Sequence, residues 1–562
     1  MEKIESKHNK DSLIFKESDE TKNLINQRLE NSLSLRKRKI NEILSKKRGF
    51  DKFKQDGAKG YKIVKEELNI PYPIKNKKYE DIDHFLKDMK IFIQSNNIEE
   101  NKYALFCIRN QTLINEGTFN KNIYADKLHK QNFIYDILNL IVKYFDDKSI
   151  IYEGIWILIN MLYYQKDNYE LILFLSTEQC IQLYIKILDK KDKQLRNNLY
   201  LLFSNLLNNS NYGLINQVLF HFYMSSLFKS HIINDLQDIN SKLNEEEIRI
   251  LINILALLSD FISETFINLQ ENNIKNFIEY NSSVDYNSIK ENNNYLLENS
   301  FLIFINYIEN PNLTTFCLIG LSNLTNFLDN LTYKKLHDSG ICLKLIKGQI
   351  KVEEGYLNKV VQIIGNFLTF TPGKLIDQNA LEEILNYFVK LLQTYPNSQV
   401  LKRDIFWCAS NIHEGENSSL LLVKSGLLVL TLQSICSDNE NVINEALYLL
   451  LGFFYINNLE IIINNYHLDY IKNLVLCLKN IHSKCSAGET FKNKGIVEKV
   501  LSCIHSLFEI GNILKIENIE NKFVKDFEKY GGFELLEIML SENNLSEEFI
   551  GIAENILNQN NN

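Results

Sequence analysis

One nine-residue pattern of apolar and polar positions recurs along the chain. Six mostly apolar positions are followed by a polar one, usually asparagine, and then by two more mostly apolar positions. It reads GIWILINML (154–162), LYLLFSNLL (199–207), ILALLSDFI (254–262), CLIGLSNLT (317–325), VVQIIGNFL (360–368), IFWCASNIH (405–413) and ALYLLLGFF (446–454), with a weaker VLSCIHSLF (500–508). The seventh slot holds Asn160, Asn205, Asp260, Asn323, Asn366, Asn411, Gly452 and Ser506, at successive spacings of 45, 55, 63, 43, 45, 41 and 54 residues. The shorter spacings match the roughly 40–47 residues of HEAT or armadillo units.

Amphipathic helical stretches lie between the nonamers, several of them opening on a glycine turn: Ser339-Gly340-Ile341, Ser425-Gly426-Leu427 and Gly531-Gly532-Phe533. A helix, a turn, a longer helix and then the nonamer helix make a three-helix unit. Stacking such units buries a continuous core and leaves one helix of each on a concave face. The pattern therefore predicts an all-α fold, an armadillo-repeat superhelical solenoid, occupying 61–558 with about ten repeats. Only five prolines and 21 glycines in 562 residues agree with helices joined by polar loops. The Asn-rich stretch 270–298 (QENNIKNFIEYNSSVDYNSIKENNNYLLE) reads as a flexible inserted loop, and 559–562 as a short polar tail.

Composition adds exclusions. No run of eighteen apolar residues occurs, so no membrane span is expected, and the polar, mixed-charge start (MEKIESKHNKDSLIFKESDE) does not read as a secretory signal. Nine cysteines lie scattered in apolar surroundings, as in Phe106-Cys107 and Trp407-Cys408, which suits a reducing compartment. Phosphate-loop, nucleophile-elbow and zincin motifs are absent, so the expectation is not an enzyme, with no cofactor. Cys477, His482, Cys485, Cys503 and His505 lack paired C-x-x-C spacing and read as coincidence rather than a metal site.

Charge divides the chain. Residues 1–60 carry 16 Lys+Arg against 10 Asp+Glu; the remaining 46 against 60 leave a net of −14 on 61–562. A basic arm on an acidic body implies that the body attracts cationic ligands, its own arm among them. Within the arm, QRLENSLSLRKRKINEILSKKR (27–48) places Leu29, Leu33, Ile40 and Leu44 on one helical stripe and ends in Lys46-Lys47-Arg48. Taken alone, such a helix also suits nucleic acid or a membrane surface, although the acidic body works against direct nucleic-acid binding.

Slots three and seven of the nonamer lie four residues apart, on one helix face. Both tryptophans, Trp156 and Trp407, occupy slot three, one turn before Asn160 and Asn411. Asparagine is a mediocre helix former, so its repetition needs a reason. Structurally, each amide could bond to the neighbouring repeat's backbone. Functionally, a row of carboxamides can both donate to and accept from an extended peptide main chain. Tryptophans between them would receive Lys or Arg stems, with a cation–π component of roughly 0.5–2 kcal/mol each. Glu153, Asp404 and Glu445, three positions before slot three, would meet the cationic heads.

Together the arm and the ladder resemble importin-α, the nuclear import adaptor. The resemblance rests on Arg28, Glu30, Leu35-Arg36-Lys37-Arg38-Lys39, Glu42, Leu44 and Lys46-Lys47-Arg48 in the arm. It rests also on WILIN (156–160), WCASN (407–411) with Gly415, and the closing YGGFELLEIML (530–540), and it covers residues 24 to 558. It implies two grooves for basic nuclear localisation signals of cargo proteins. The larger would be lined by Glu153, Trp156, Asn160 and Asn205, the smaller by Asn366, Asp404, Trp407, Asn411, Glu445 and Tyr448. It implies importin-β binding and autoinhibition by Arg28, Arg36, Lys37, Arg38, Lys39, Lys46, Lys47 and Arg48. An export receptor with Ran-GTP, and shuttling between cytoplasm and nucleus, follow from the same likeness. The sequence departs from the family pattern at Leu201, Ala256, Asp260, Asn209, Gln362 and Gly452, so the groove around Trp407 is expected to matter more. The rival reading is an armadillo scaffold that binds another protein without import activity.

Overall fold

A computed structural model describes residues 79, 81–112, 119–165, 168–209, 228–238, 243–270, 286–327, 330–370, 377–412, 416–437, 439–454, 459–486, 495–515, 521–541 and 547–558. The whole basic arm (1–60), Gly415 and the 559–562 tail lie outside these residues. All regular structure among the described residues is helical. The chain is an all-α solenoid of armadillo-type repeats, divided into two units, Met1–Ile232 and Ile233–Asn562.

In the first unit, α1 (Ile82–Ile93) and α2 (Ile98–Thr112) are followed by the triplet α3 (Lys121–Lys130), α4 (Phe133–Lys143) and α5 (Lys148–Tyr164). A second triplet follows, α6 (Tyr169–Leu175), α7 (Glu178–Leu188) and α8 (Lys193–Asn209). The nonamers fall on α5 and α8, and these ladder helices pack against one another in series, α2 on α5 and α5 on α8. Their apolar slots are sealed: Ile155, Ile157, Leu158 and Leu162 are buried, as are Leu199, Leu202, Phe203 and Leu206. Each such side chain contributes about 1.5–3 kcal/mol by leaving water. Side chains start the ladder helices. Asp147 accepts from the Ser149 and Ile150 amides, and Asp192 from those of Gln194 and Leu195. Each capping carboxylate also meets a lysine on the preceding ladder helix, Lys102 with Asp147 at 2.8 Å and Lys148 with Asp192 at 2.9 Å.

A π-helical turn at Phe228–Ile233 ends the first unit, and the second starts with α9 (Asn234–Gln237) and the long α10 (Glu245–Gln270). It continues through α11 (Tyr286–Tyr307), α12 (Thr314–Leu324), α13 (Asn330–Ser339), α14 (Ile341–Ile346) and α15 (Leu357–Phe370). Next come α16 (Gln378–Thr394), α17 (Gln399–Ala409), α18 (Glu416–Lys424), α19 (Leu427–Ser434), α20 (Glu440–Phe453) and α21 (Leu459–Asn464). The chain closes with α22 (Tyr470–Ser486), α23 (Gly495–Lys515), α24 (Lys522–Lys529), α25 (Gly532–Ser541) and α26 (Glu547–Asn558). Its ladder is α10, α12, α15, α17, α20, α23 and α26, each packed on the next. A reciprocal cap opens α10: Asn244 accepts from the Glu247 amide while Glu247 accepts from that of Asn244.

The turns follow the glycines. Gly340 and Gly426 take φ of 63° and 81°, a left-handed conformation that costs glycine little, between α13 and α14 and between α18 and α19. In the first unit Asn132, at φ 57°, does the same between α3 and α4. One expectation is corrected. The Asn-rich 270–298 stretch is not a loop throughout, since α10 runs to Gln270 and α11 starts at Tyr286. Its Leu296 and Leu297 are buried, and that burial holds an asparagine-rich segment in a helix its propensity alone would not favour.

Candidate functional site

The slot-seven asparagines sit on ladder helices, except Asn411, which lies in the turn just past α17, and the partners of their amides define the site. Asn160 Nδ2 donates to Thr112 Oγ1 at 2.7 Å, Asn323 Nδ2 to Ser259 Oγ at 2.9 Å, and Asn366 Nδ2 to Thr325 Oγ1 at 2.9 Å and Asn326 Oδ1 at 3.0 Å. Each bond runs to a side chain on the preceding ladder helix or, for Asn366, in the turn just past its end, not to its backbone as the structural reading supposed. The amide nitrogen is thereby spent on stacking. Among the described residues no hydrogen bond engages Oδ1 of Asn160, Asn366 or Asn411, so these carbonyl oxygens retain acceptor capacity. Asn205 and Asn411 each have a buried Nδ2 without a partner. Such a donor costs about 1–3 kcal/mol, so both amides gain from any acceptor brought to them.

The Thr112 bond also shows an earlier rung that the sequence reading missed. ALFCIRNQT (104–112) on α2 has Asn110 in slot seven and Thr112 in slot nine, the slot Thr325 fills in CLIGLSNLT. Arg109 in slot six interrupts its apolar run and hides it from a search for hydrophobic segments. The same Arg109 explains Glu153. The two are 0% and 1% exposed and form an ion pair at 2.7 Å between α2 and α5, with the guanidinium 5.6 Å from the Tyr152 ring centroid. Burial pushes the Glu153 carboxyl up to about 7, against the downward pull of Arg109.

Asp404 is likewise turned inward. It accepts from Gln362 Nε2 at 2.9 Å and from Arg403 Nε at 2.7 Å, and Gln362 in turn accepts from Lys359 Nζ at 3.1 Å. Lys359, Gln362 and Asp404 are 3%, 1% and 4% exposed, a buried polar chain that joins α15 to α17. Glu153 and Asp404 are therefore struts between repeats, and the expectation that they meet a ligand's cationic heads is corrected. Charges at these depths require fixed partners: the preceding repeat supplies Arg109 to Glu153, and it supplies Gln362 to Asp404 beside the adjacent Arg403. Glu445 differs, being half-buried and accepting from Asn444 at 3.3 Å.

The aromatic residues also divide. Trp156 is 6% exposed and tilted against Tyr152 at 6.5 Å, so its indole is core packing and offers little wall to a peptide. Trp407 is half-buried and lies over Gly365 of α15, where an added Cβ would sit 2.3 Å from its Cζ3. The glycine lets the indole pack directly against the neighbouring ladder helix. Tyr448 already holds a cation, Lys499 Nζ, 4.7 Å from its ring centroid. Leu201 and Ala256, where the family pattern has tryptophan, are buried. The side chains of Asn209 and Asp260, and the whole of Arg28, Arg36, Lys37, Arg38, Lys39, Lys46, Lys47 and Arg48, lie outside the described residues.

The fold and the ladder together define a helical-repeat solenoid of the armadillo type. No protein-family model matches the chain, and no curated protein matches it. Among solved structures it is similar to an engineered protein, over 86% of this chain and 99% of that one, at 14% identity and a TM-score of 0.57. A designed armadillo-repeat protein in complex with the peptide (KR)4 aligns over 46% of this chain and 97% of its own, at 18% identity and a TM-score of 0.34.

Proposed function

We propose that the protein binds an extended basic peptide segment along its ladder helices, chiefly in the second unit around Trp407 and Asn411. The observation that carries this reading is the unmet Oδ1 of Asn366 and of Asn411 beside the half-buried Trp407. Peptide N–H groups and Lys or Arg side chains are donors, which is what a row of carbonyl acceptors takes up. The net −14 on residues 61–562 draws such a ligand in.

The finer reading is a nuclear import adaptor. Its cargo would carry basic localisation signals, and residues 1–60 would bind importin-β and, through Lys46-Lys47-Arg48, occupy a groove until it arrives. An export receptor with Ran-GTP and a cytoplasmic and nuclear distribution belong to this reading, which the arm motif and the family resemblance support. The inward-facing Glu153 and Asp404 favour the second reading, a scaffold without import activity. Mono- and bipartite basic peptides titrated against the full chain and a chain lacking residues 1–60 test both. The adaptor reading expects tighter binding without the arm, and capture of importin-β by residues 1–60. Trp407→Ala should weaken peptide binding more than Trp156→Ala, and the reverse order would sink the emphasis on the second unit.

A further inference from the structure

Five ladder helices carry a charged residue directly before the nonamer: Glu153, Lys359, Asp404, Glu445 and Lys499. Three of these reach back to the preceding ladder helix, Glu153 to Arg109, Asp404 to Gln362 and Lys499 to Tyr448. Lys499 differs from the other two in what it meets. Its Nζ stands 4.7 Å from the centroid of the Tyr448 ring, and it also donates to the Gly495 carbonyl at 3.0 Å. Both side chains are half-buried where α23 packs on α20. Tyr448 fills slot three, the position that Trp407 fills one repeat earlier. An ammonium of this chain therefore already sits on the aromatic ring of the rung after Asn411.

The rungs for a peptide main chain give out at the same place. Slot seven of α20 is Gly452, which has no amide to offer, and slots three and seven of α23 are Ser502 and Ser506. Their hydroxyls donate to the backbone of α23 itself, Ser502 to the Glu498 carbonyl and Ser506 to that of Ser502, each at 2.9 Å. A ring that holds one ammonium attracts a second only weakly, because the two like charges oppose each other across a few ångströms. We infer that Lys499 is a built-in stop: it takes the cation seat on Tyr448 from within the chain and ends the groove at the Trp407 rung. The ligand so selected is a short basic segment whose cationic side chains stop beside Trp407 and which is neutral where it passes Tyr448. This inference rests on the peptide reading of the ladder and adds to it the residue that sets how far the peptide extends.

The probe is an octapeptide of alternating Lys and Arg, which offers a cation at every register, titrated against the full chain. Lys499→Met removes the charge while keeping an unbranched apolar stem, and Lys499→Gln removes it while keeping a polar end. Each should tighten octapeptide binding about two- to thirty-fold, the span of one cation–π contact. In a Tyr448→Leu background the same substitutions should give no such gain, because the seat itself is gone. Urea unfolding of each variant is measured alongside, and either Lys499 variant serves if the other unfolds. A gain of equal size in the Tyr448→Leu background is a general charge effect and overturns the seat. Wild-type binding that Trp407→Ala weakens and neither Lys499 variant tightens overturns the stop and leaves the ladder reading intact. Absence of saturable binding by the wild type and by both Lys499 variants overturns the two together.

Discussion

Replacing Arg109 by leucine removes the guanidinium that faces Glu153 inside the first unit. Both side chains are sealed from water, at 0% and 1% exposure, so the variant buries a carboxylate without compensation. Breaking a pair of this kind costs about 3–5 kcal/mol. The pH dependence separates this cause from lost packing. Glu153 is pushed up from 4.5 to about 7 by burial, so between those values the folded chain holds a proton that the unfolded chain has released. Wild-type stability therefore falls as pH rises from about 4.5 to about 7, by roughly 3 kcal/mol in all. In Arg109→Leu the downward pull is gone, the folded carboxyl rises further, and the fall continues above pH 7. Urea unfolding across pH 4 to 9 measures this. In a Trp407→Phe background Trp156, on the same helix as Glu153, is the sole tryptophan and reports the first unit. Arg109→Leu combined with Glu153→Leu should recover most of the loss, because replacing both charges leaves neither stranded. If the single losses simply add, or if Arg109→Leu has no slope above pH 7, the pair is not the strut described here.

Three further outcomes are expected. Gly365→Ala should push the indole off α15, costing about 1–3 kcal/mol in thermal unfolding and shifting Trp407 emission; an unchanged spectrum contradicts the stacking. Thr325→Val removes the hydroxyl that accepts from Asn366 while Asn326 remains, so a loss of about 1 kcal/mol in urea unfolding is expected, and a loss near zero would show that the bond adds nothing. Asn132→Ala should destabilise the first unit by about 1–2 kcal/mol while Asn132→Gly is tolerated, because φ of 57° suits glycine; equal melting shifts would exclude that cause.

Much of the fold was legible without coordinates. The nonamer spacing marked the ladder helices, and the turns at Gly340, Gly426 and Gly531 fell where the sequence placed them. Misses came where a local rule was overridden. Arg109 broke the apolar run of the α2 rung because its partner lies on another helix, and α11 is helical because Leu296 and Leu297 are buried.

By itself, the sequence determined which residues share a face, since helical periodicity is a local property of 3.6 residues per turn. Trp156 with Asn160, and Trp407 with Asn411, were set in this way. Only the stacking of repeats decided what those faces meet. Glu153 and Asp404 occupy the same register as Glu445, yet two are buried struts and one is half-exposed. The difference is made by Arg109 and Gln362, which lie 44 and 42 residues earlier on the preceding ladder helix. Desolvation and pairing act across that interface, at distances along the chain that no local pattern records.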